Sequence, residues 1–276
     1  DVGFDVAIDS LVPVGAGLSS SAALICAVGL GLNDVLDLGH SRRELARRTR
    51  RTENEYVGAP TGGMDQIASL LGTEGHALLY DVQADTTEQI PFDPSAAGLK
   101  VLVVDTTVRH GHADGEYAER RADCEMAARQ LGVQTLRDVA YADLDSALDH
   151  LENERLVKRA RHVVTENQRV LDTTAALAAD DWVAAGELLT AAHASIRDDF
   201  EASCTELDVA VAMLLESGSL GARMTGGGFG GAAIALVPAD RTDEAAHTVR
   251  AVFADNGFAP PNIFSVVPSA GATRIE

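Results

Sequence analysis

Apolar and polar positions alternate through the opening residues, DVGFDVAIDSLVPVG, which predicts a strand over Phe4 to Val12 that runs into a glycine-rich bend. Small and apolar residues from Ser19 to Leu36 predict a helix. A second helix is expected over Ser41 to Tyr56, with Ser41 as N-cap and Glu44 three positions later, the pattern of a capping box. Gly58 to Gly63 (GAPTGG) reads as a loop and Met64 to Leu71 as a short helix. His76 to Val82 and Lys100 to Thr106 read as strands, the second so continuously apolar (KVLVVDTT) that it should be buried on both faces. Charged helical periodicity covers Glu116 to about Thr174. It continues over Trp182 to Ser217, with Gly218 as the stop. A glycine-rich segment, GARMTGGGFGG, then leads into the strand AAIALVP, a helix over His247 to Asn256 and a last strand over Asn262 to Val267. This order suggests an α+β chain rather than regular βαβ alternation. The FDPSAAG linker is the expected boundary between a first unit, 1–98, and a second, 99–276.

The bend at Pro13 to Ala23, PVGAGLSSSAA, carries the strongest chemical signal. Gly15 and Gly17 permit backbone conformations that a Cβ resists, and Ser19, Ser20 and Ser21 place hydroxyls where a helix begins. Free N–H groups and the positive dipole end at a helix N-terminus favour an anion such as phosphate. An ordinary glycine turn with a serine N-cap fits the same residues. The loop is neither a P-loop, since no Gly-Lys-Ser/Thr follows, nor a dinucleotide fingerprint, since Ser20 holds the third glycine position. The chain has only two lysines, Lys100 and Lys158, so a phosphate here would rely on N–H groups, hydroxyls, a metal ion or arginine.

Composition narrows the partners. The 276 residues are 46% hydrophobic, enough for a sizeable core, and the formal net charge of −20 argues against a nucleic-acid partner. Cys26, Cys124 and Cys204 are odd in number and far apart without a C-x-x-C, so neither a disulfide scaffold nor a zinc cluster is indicated, and a reducing cytoplasm fits. The longest apolar run is too short to span a bilayer and no signal peptide precedes it. The chain opens without a methionine on a strand already in progress, and is expected to be a piece of a longer protein or a truncated one.

Other residues invite two readings each. The glycines of Thr225 to Gly231 could press against phosphates or the first glycine loop, or form a tight strand-entry turn. Asp65 could cap a helix or face a substrate hydroxyl. Glu53 could lie on a solvated face or share a metal ion, magnesium being commonly held by few protein oxygens together with phosphate and water. Tyr117 in GEYAERR could be an ordinary amphipathic-helix residue. The arginine pairs at 42–43, 47–48 and 50–51 could form an anion patch, but the interleaved glutamates favour a solvated face. His110 and His112 lack partners for a metal site.

Taken together, these segments resemble the GHMP kinases, and within them the galactokinase family. PVGAGLSSSAA is similar to the superfamily's second motif, its phosphate loop, and GARMTGGGFGGAAI to the third. ENEYVGAPTGGMDQIAS resembles the segment with the catalytic aspartate, and GEYAERRADCE the segment with a sugar-contacting tyrosine. ARHVVTENQRV and AHASIRDDFEASCTELD are also galactokinase-like, so the similarity covers nearly the whole chain. The resemblance implies a two-domain α+β GHMP kinase architecture with its N-terminal portion incomplete. It implies ATP-dependent phosphorylation of the anomeric C1 hydroxyl of galactose. The loop Gly15, Ala16, Gly17, Leu18, Ser19, Ser20 and Ser21 would hold the ATP phosphates, Ser21 and Glu53 would bind Mg²⁺, Asp65 would accept the hydroxyl proton, and Gly62 and Tyr117 would contact the sugar. The family's first motif, of the form GRVNLIGEHTDY, does not occur in this chain, so a chain starting at Asp1 is expected to be weakly active or inactive. A non-catalytic ATP- and sugar-binding regulator is the alternative, disfavoured by the intact SSSAA. A kinase for N-acetylgalactosamine or arabinose is another.

Overall fold

A computed structural model describes residues 3–13, 17–58, 62–108 and 113–275. Three helices open the fold: α1 (Ser20–Val35), α2 (Arg42–Thr52) and α3 (Met64–Leu71) pack on one another. Leu45, Ala46 and Thr49 of α2 recur at helical spacing and turn inward, meeting Cys26 of α1 and Ile67 and Leu70 of α3 in a small apolar cluster. The Ser41–Glu44 capping box forms as the sequence predicts. The helix does not run on to Tyr56 in α form. It passes at Thr52 into a π-turn, Glu53–Val57, a form that interrupts helices most often at functional positions.

Strands β1 (His76–Asp81) and β2 (Thr86–Pro91) make an antiparallel hairpin. Strand β3 (Leu99–Asp105) follows, then the helices α4 (Ala113–Gln130), α5 (Leu144–Leu148), α6 (Glu154–Ala178) and α7 (Trp182–Ser195), a second π-turn at Ile196–Phe200, and α8 (Thr205–Glu216). Strands β4 (Gly221–Thr225) and β5 (Ala232–Pro238), helix α9 (Thr242–Asp255) and strand β6 (Asn262–Val266) complete the order. The antiparallel sheet β4-β5-β3-β6 pairs Asp105 with Ala232 on one side and with Asn262 on the other. One face of it, with α8 and α9, encloses the main core around Leu102, Val104, Leu207, Leu214, Val249 and Phe253. The mixed helix and sheet content agrees with the α+β expectation.

Three expectations change. The strand over Phe4 to Val12 does not form: no strand among the described residues pairs with it, and without a ladder an extended segment leaves its backbone groups to solvent. The helical stretch expected over Glu116 to Thr174 is broken between α4 and α6 by short 3₁₀ turns and α5. Strands β2 and β4 carry too little apolar alternation to stand out in the sequence, yet both find partners.

The C-terminal segment is tied back to the end of α3. After β6 the backbone returns to α3, where Gly271 N–H donates to Gly72 C=O at 2.8 Å and Ala272 N–H to Ser69 C=O at 2.7 Å. The arginines of α2 serve this tie and the hairpin. Arg42 reaches the carbonyls of Leu70 and Ala272, and Arg43 and Arg47 both meet the Asp85 carboxylate in the hairpin turn. Arg48 and Arg51 remain exposed, Arg51 pairing with Glu55 as the solvated-face reading expects.

Candidate active site

The start of α1 is the first part of the site. Gly15 and Ala16 lie outside the described residues. Gly17 is left-handed, at φ 69°, and so is Ser19, the N-cap, at φ 57° and ψ 38°. Ser19 makes no side-chain cap bond, so the plain serine-cap reading does not hold. Leu18 and Ser20 are half-buried, while Ser21 is exposed and turns its hydroxyl toward α2. There Ser21 Oγ donates to Glu53 Oε1 at 2.6 Å.

Glu53 is only 3% exposed, which overturns the solvated-face reading. Its position follows from α2 itself: Leu45, Thr49 and Glu53 recur at the four-residue interval that keeps one helix face inward. The second carboxylate oxygen accepts from Gln66 Nε2 of α3, and Gln66 is fully buried. Three elements therefore converge on one carboxylate: the first turn of α1, the π-turn after α2, and α3.

Asp65 precedes Gln66 by one residue. Gly63, in the left-handed conformation at φ 86°, holds the N-cap position of α3, and Asp65 sits half-buried in the first turn. A side chain at 63 would collide with Arg50, since a Cβ would lie 2.6 Å from Arg50 Cδ. Burial raises the pKa of the Cys26 thiol on α1, hydrogen bonding with Thr49 and Ser69 opposes the shift, and the negative charges of Glu53 and Asp65 add to it. Gly62 is exposed, with open space where a Cβ would stand.

The second glycine-rich segment approaches from the sheet. A Cβ on Gly226 would lie 3.0 Å from the Gly17 carbonyl oxygen, and one on Gly17 would lie 3.6 Å from backbone atoms of Thr225, Gly231 and Ala232. The two glycine loops are pressed backbone to backbone, as the first of the two sequence readings expects. Gly228, at φ 90°, packs on Ala202, whose carbonyl accepts from Phe229 N–H at 2.7 Å. Tyr117, 40% exposed on α4, comes within 3.9 Å of the Cβ position of Gly227. His110 and His112 lie outside the described residues.

Sequence reading missed the residues that brace these loops. Arg120, one turn along α4 from Tyr117, donates to the carbonyls of Phe200 and Glu201 at 2.8 and 3.0 Å and lies 5.5 Å from the Phe229 ring centre. His193 Nδ1 accepts from Met224 N–H at 3.3 Å, at the entry to the second glycine loop. Gln66 was also missed. Its signal was its place on the apolar face of α3 with Gly63, Ile67 and Leu70. Burial pushes the thiols of Cys124 and Cys204 up to about 11.

Comparison with known proteins places this arrangement. A family model described as GHMP kinases N terminal domain matches residues 2–73, and one described as GHMP kinases C terminal matches residues 173–255. The chain is 53% identical over 274 residues to a galactokinase of Streptomyces coelicolor, covering 99% of this chain and 71% of that protein. It is 48% identical over 269 residues to a galactokinase of Mycobacterium tuberculosis, covering 98% and 74%. Among solved structures, Lactococcus lactis galactokinase complexed with galactose superposes at a TM-score of 0.91 with 33% identity, over 96% of this chain and 69% of that one. L. major mevalonate kinase in complex with R-mevalonate shares the fold at a TM-score of 0.63 and 24% identity, over 95% and 69%. With both family models matched and relatives this similar over nearly its whole length, the chain belongs to the galactokinase family of the GHMP kinases.

Proposed function

We propose that this site transfers the terminal phosphoryl group of ATP to the anomeric hydroxyl of galactose, giving galactose 1-phosphate and ADP. The observation that carries the reading is the convergence of Ser21, Glu53 and the Asp65–Gln66 pair beside two interlocked glycine loops. The high identity to galactokinases over nearly the whole chain supports galactose as the acceptor.

In this reading the loop Gly15 to Ser21 cradles the nucleotide phosphates with backbone N–H groups and hydroxyls. The second glycine loop backs it, so the cradle stays fixed as charge moves onto the phosphate oxygens. Gly62 and Tyr117 contact the sugar. Asp65 orients the anomeric hydroxyl and receives its proton. The hydroxyl oxygen bonds to the γ-phosphorus while the bond from that phosphorus to the ADP oxygen breaks. Such transfers have loose transition states, so placement and charge stabilisation carry the rate.

The residues fit a magnesium ion. Exposed Ser21 and buried Glu53 present hard oxygen donors side by side, and Ser21 gives its proton to Glu53, which leaves its lone pairs free to face outward. Among the described residues no group of three His, Cys, Asp or Glu side chains could hold a metal alone. An ion completed by phosphate and water suits that donor set. When bound, the ion neutralises phosphate charge. The division into units 1–98 and 99–276 places the phosphate loop, Glu53 and Asp65 in the first unit and Tyr117 and the second glycine loop in the second. No helix among the described residues is long and apolar enough to cross a membrane. The cytoplasm is the proposed compartment.

The test is ADP release by the full protein with ATP and a panel of galactose, N-acetylgalactosamine and arabinose, with phosphorus NMR of the product. Galactose-dependent ADP release and an anomeric phosphate signal are expected. ADP release with another sugar alone would move the acceptor, and nucleotide and sugar binding with no release would make the protein a regulator.

A further inference from the structure

We propose that Gln66 is a positioning residue for the metal–nucleotide side of the reaction: its amide fixes the Glu53 carboxylate and, through it, the Ser21 hydroxyl. The inference rests on the assignment of Ser21 and Glu53 made above. Gln66 is fully buried on the inner face of α3. Its Nε2 donates to Glu53 Oε2, while Ser21 Oγ donates to Glu53 Oε1. A carboxylate gripped at both oxygens cannot turn about its last bond without losing one of the two contacts. The Ser21 lone pairs therefore keep one direction.

The far end of the same amide supplies a second, independent sign. Gln66 Oε1 is buried and has no hydrogen-bond partner among the described residues. An unmet buried acceptor is costly. Methionine would fill the same volume on this apolar face without that cost, so packing alone does not account for an amide here. The donor directed at Glu53 does. Adjacent residues of one helical turn then serve the two reacting partners, with Asp65 turned to the sugar hydroxyl and Gln66 to Glu53. Their spacing is set by backbone rather than by flexible side chains.

The test uses Mn²⁺·ADP binding to the full protein, read from the manganese paramagnetic resonance, which needs no turnover. Gln66→Met is expected to weaken Mn²⁺·ADP binding by about tenfold or more, the usual scale for losing a group that orients a metal ligand. Galactose KM should stay near normal. Glu53→Gln should weaken binding as well, and adding Gln66→Met to it should cost little more, because Gln66 acts through Glu53. Full affinity in Gln66→Met beside a weakened Glu53→Gln overturns the positioning role, and so does a fully additive double variant. Full affinity in Glu53→Gln instead overturns the metal assignment itself. Should Gln66→Met melt below the assay temperature, Gln66→Asn takes its place. It keeps an amide but falls one methylene short of Glu53, and the same loss is expected and the same retention overturns.

Discussion

The helical cluster that holds the proposed catalytic groups and the four-stranded sheet unit are built on different scales. Among the described residues, the core under the four-stranded sheet joins 17 buried residues, whereas the cluster among α1, α2 and α3 joins 5. Leu24 and Val35 of α1 are 43% and 73% exposed, and Leu11 before it is 96% exposed, in a chain that spans 71% of its Streptomyces coelicolor relative. What the helical cluster lacks in apolar burial it replaces with directed contacts, the Glu53 junction, the arginine clasps and the returning C-terminal strand of chain. Polar contacts fix direction better than they add stability. The difference teaches that the groups proposed for chemistry lie in the smaller described cluster, held by directed contacts, while the larger described core lies under the sheet.

The largest expected contrast comes from truncating one large side chain in each core. Phe253 has no exposure and meets Phe258 edge-on at 5.4 Å, so Phe253→Ala should cost about 4 kcal/mol of unfolding free energy. Leu45→Ala, in the smaller cluster, should cost nearer 2 kcal/mol. Denaturant midpoints of the two variants measure this, and equal losses would erase the distinction between the regions.

A pH titration sharpens the comparison next. His162, stacked on Phe200 at 4.5 Å and bonded to Ser195 Oγ at 3.0 Å, is pushed down to about 4 by burial. Among its charged neighbours Glu166 and Asp199 oppose the shift, and Arg169 and Arg223 add to it. The unfolded chain takes up this proton near pH 6.5 while the native state resists until about pH 4. Between those values the unfolded state binds more protons, so this contribution is whole above the window and lost as pH falls through it. The loss amounts to about 3 kcal/mol. His162→Gln should flatten that segment of the stability curve, and an unchanged slope would remove His162 as its source.

Catalysis should respond to the smaller cluster instead. Asp65→Asn keeps the shape of the first turn of α3 and removes the proposed proton acceptor, so kcat should fall by about 100-fold or more with the melting temperature little changed. Loss of folding together with rate would show that Asp65 holds the helix rather than the substrate.

How much of this was legible in the sequence varied with the kind of signal. The capping box at Ser41 and Glu44, the buried run of β3 and the two glycine segments were readable, because each has a local composition with a local physical cause. The strand over Phe4 to Val12 was misread, because alternation marks a segment able to pair but not the presence of a neighbour. Glu53 looked solvated beside Glu55 and the arginines, although its four-residue step from Thr49 and Leu45 put it on the buried face. Gln66 gave a similar signal, a polar residue in apolar phase, whose meaning depends on Glu53 from another helix. Pairings between distant segments, such as Gly17 against Gly226, are written in no single stretch of sequence.

The smallest effect separates the two modes of cohesion most cleanly. Asp85 in the hairpin turn accepts from Arg43, Arg47 and the Tyr80 hydroxyl, and its carboxyl is held below the ordinary range, first by the Arg47 hydrogen bond. All of this lies near the surface, where water and salt screen the charges. Because its folded pKa is lowered, the contribution of Asp85 is present above the ordinary carboxylate range and lost as pH falls below it, a more acidic window than that of His162. Arg47→Ala should lower the melting temperature only slightly, and Asp85→Asn somewhat more, since it disturbs three partners at once. About 1 M salt should shrink both differences while leaving the Phe253→Ala loss in place. A clasp effect that survives high salt would mean that α2 is held to the hairpin by packing, and that the two regions cohere in the same way after all.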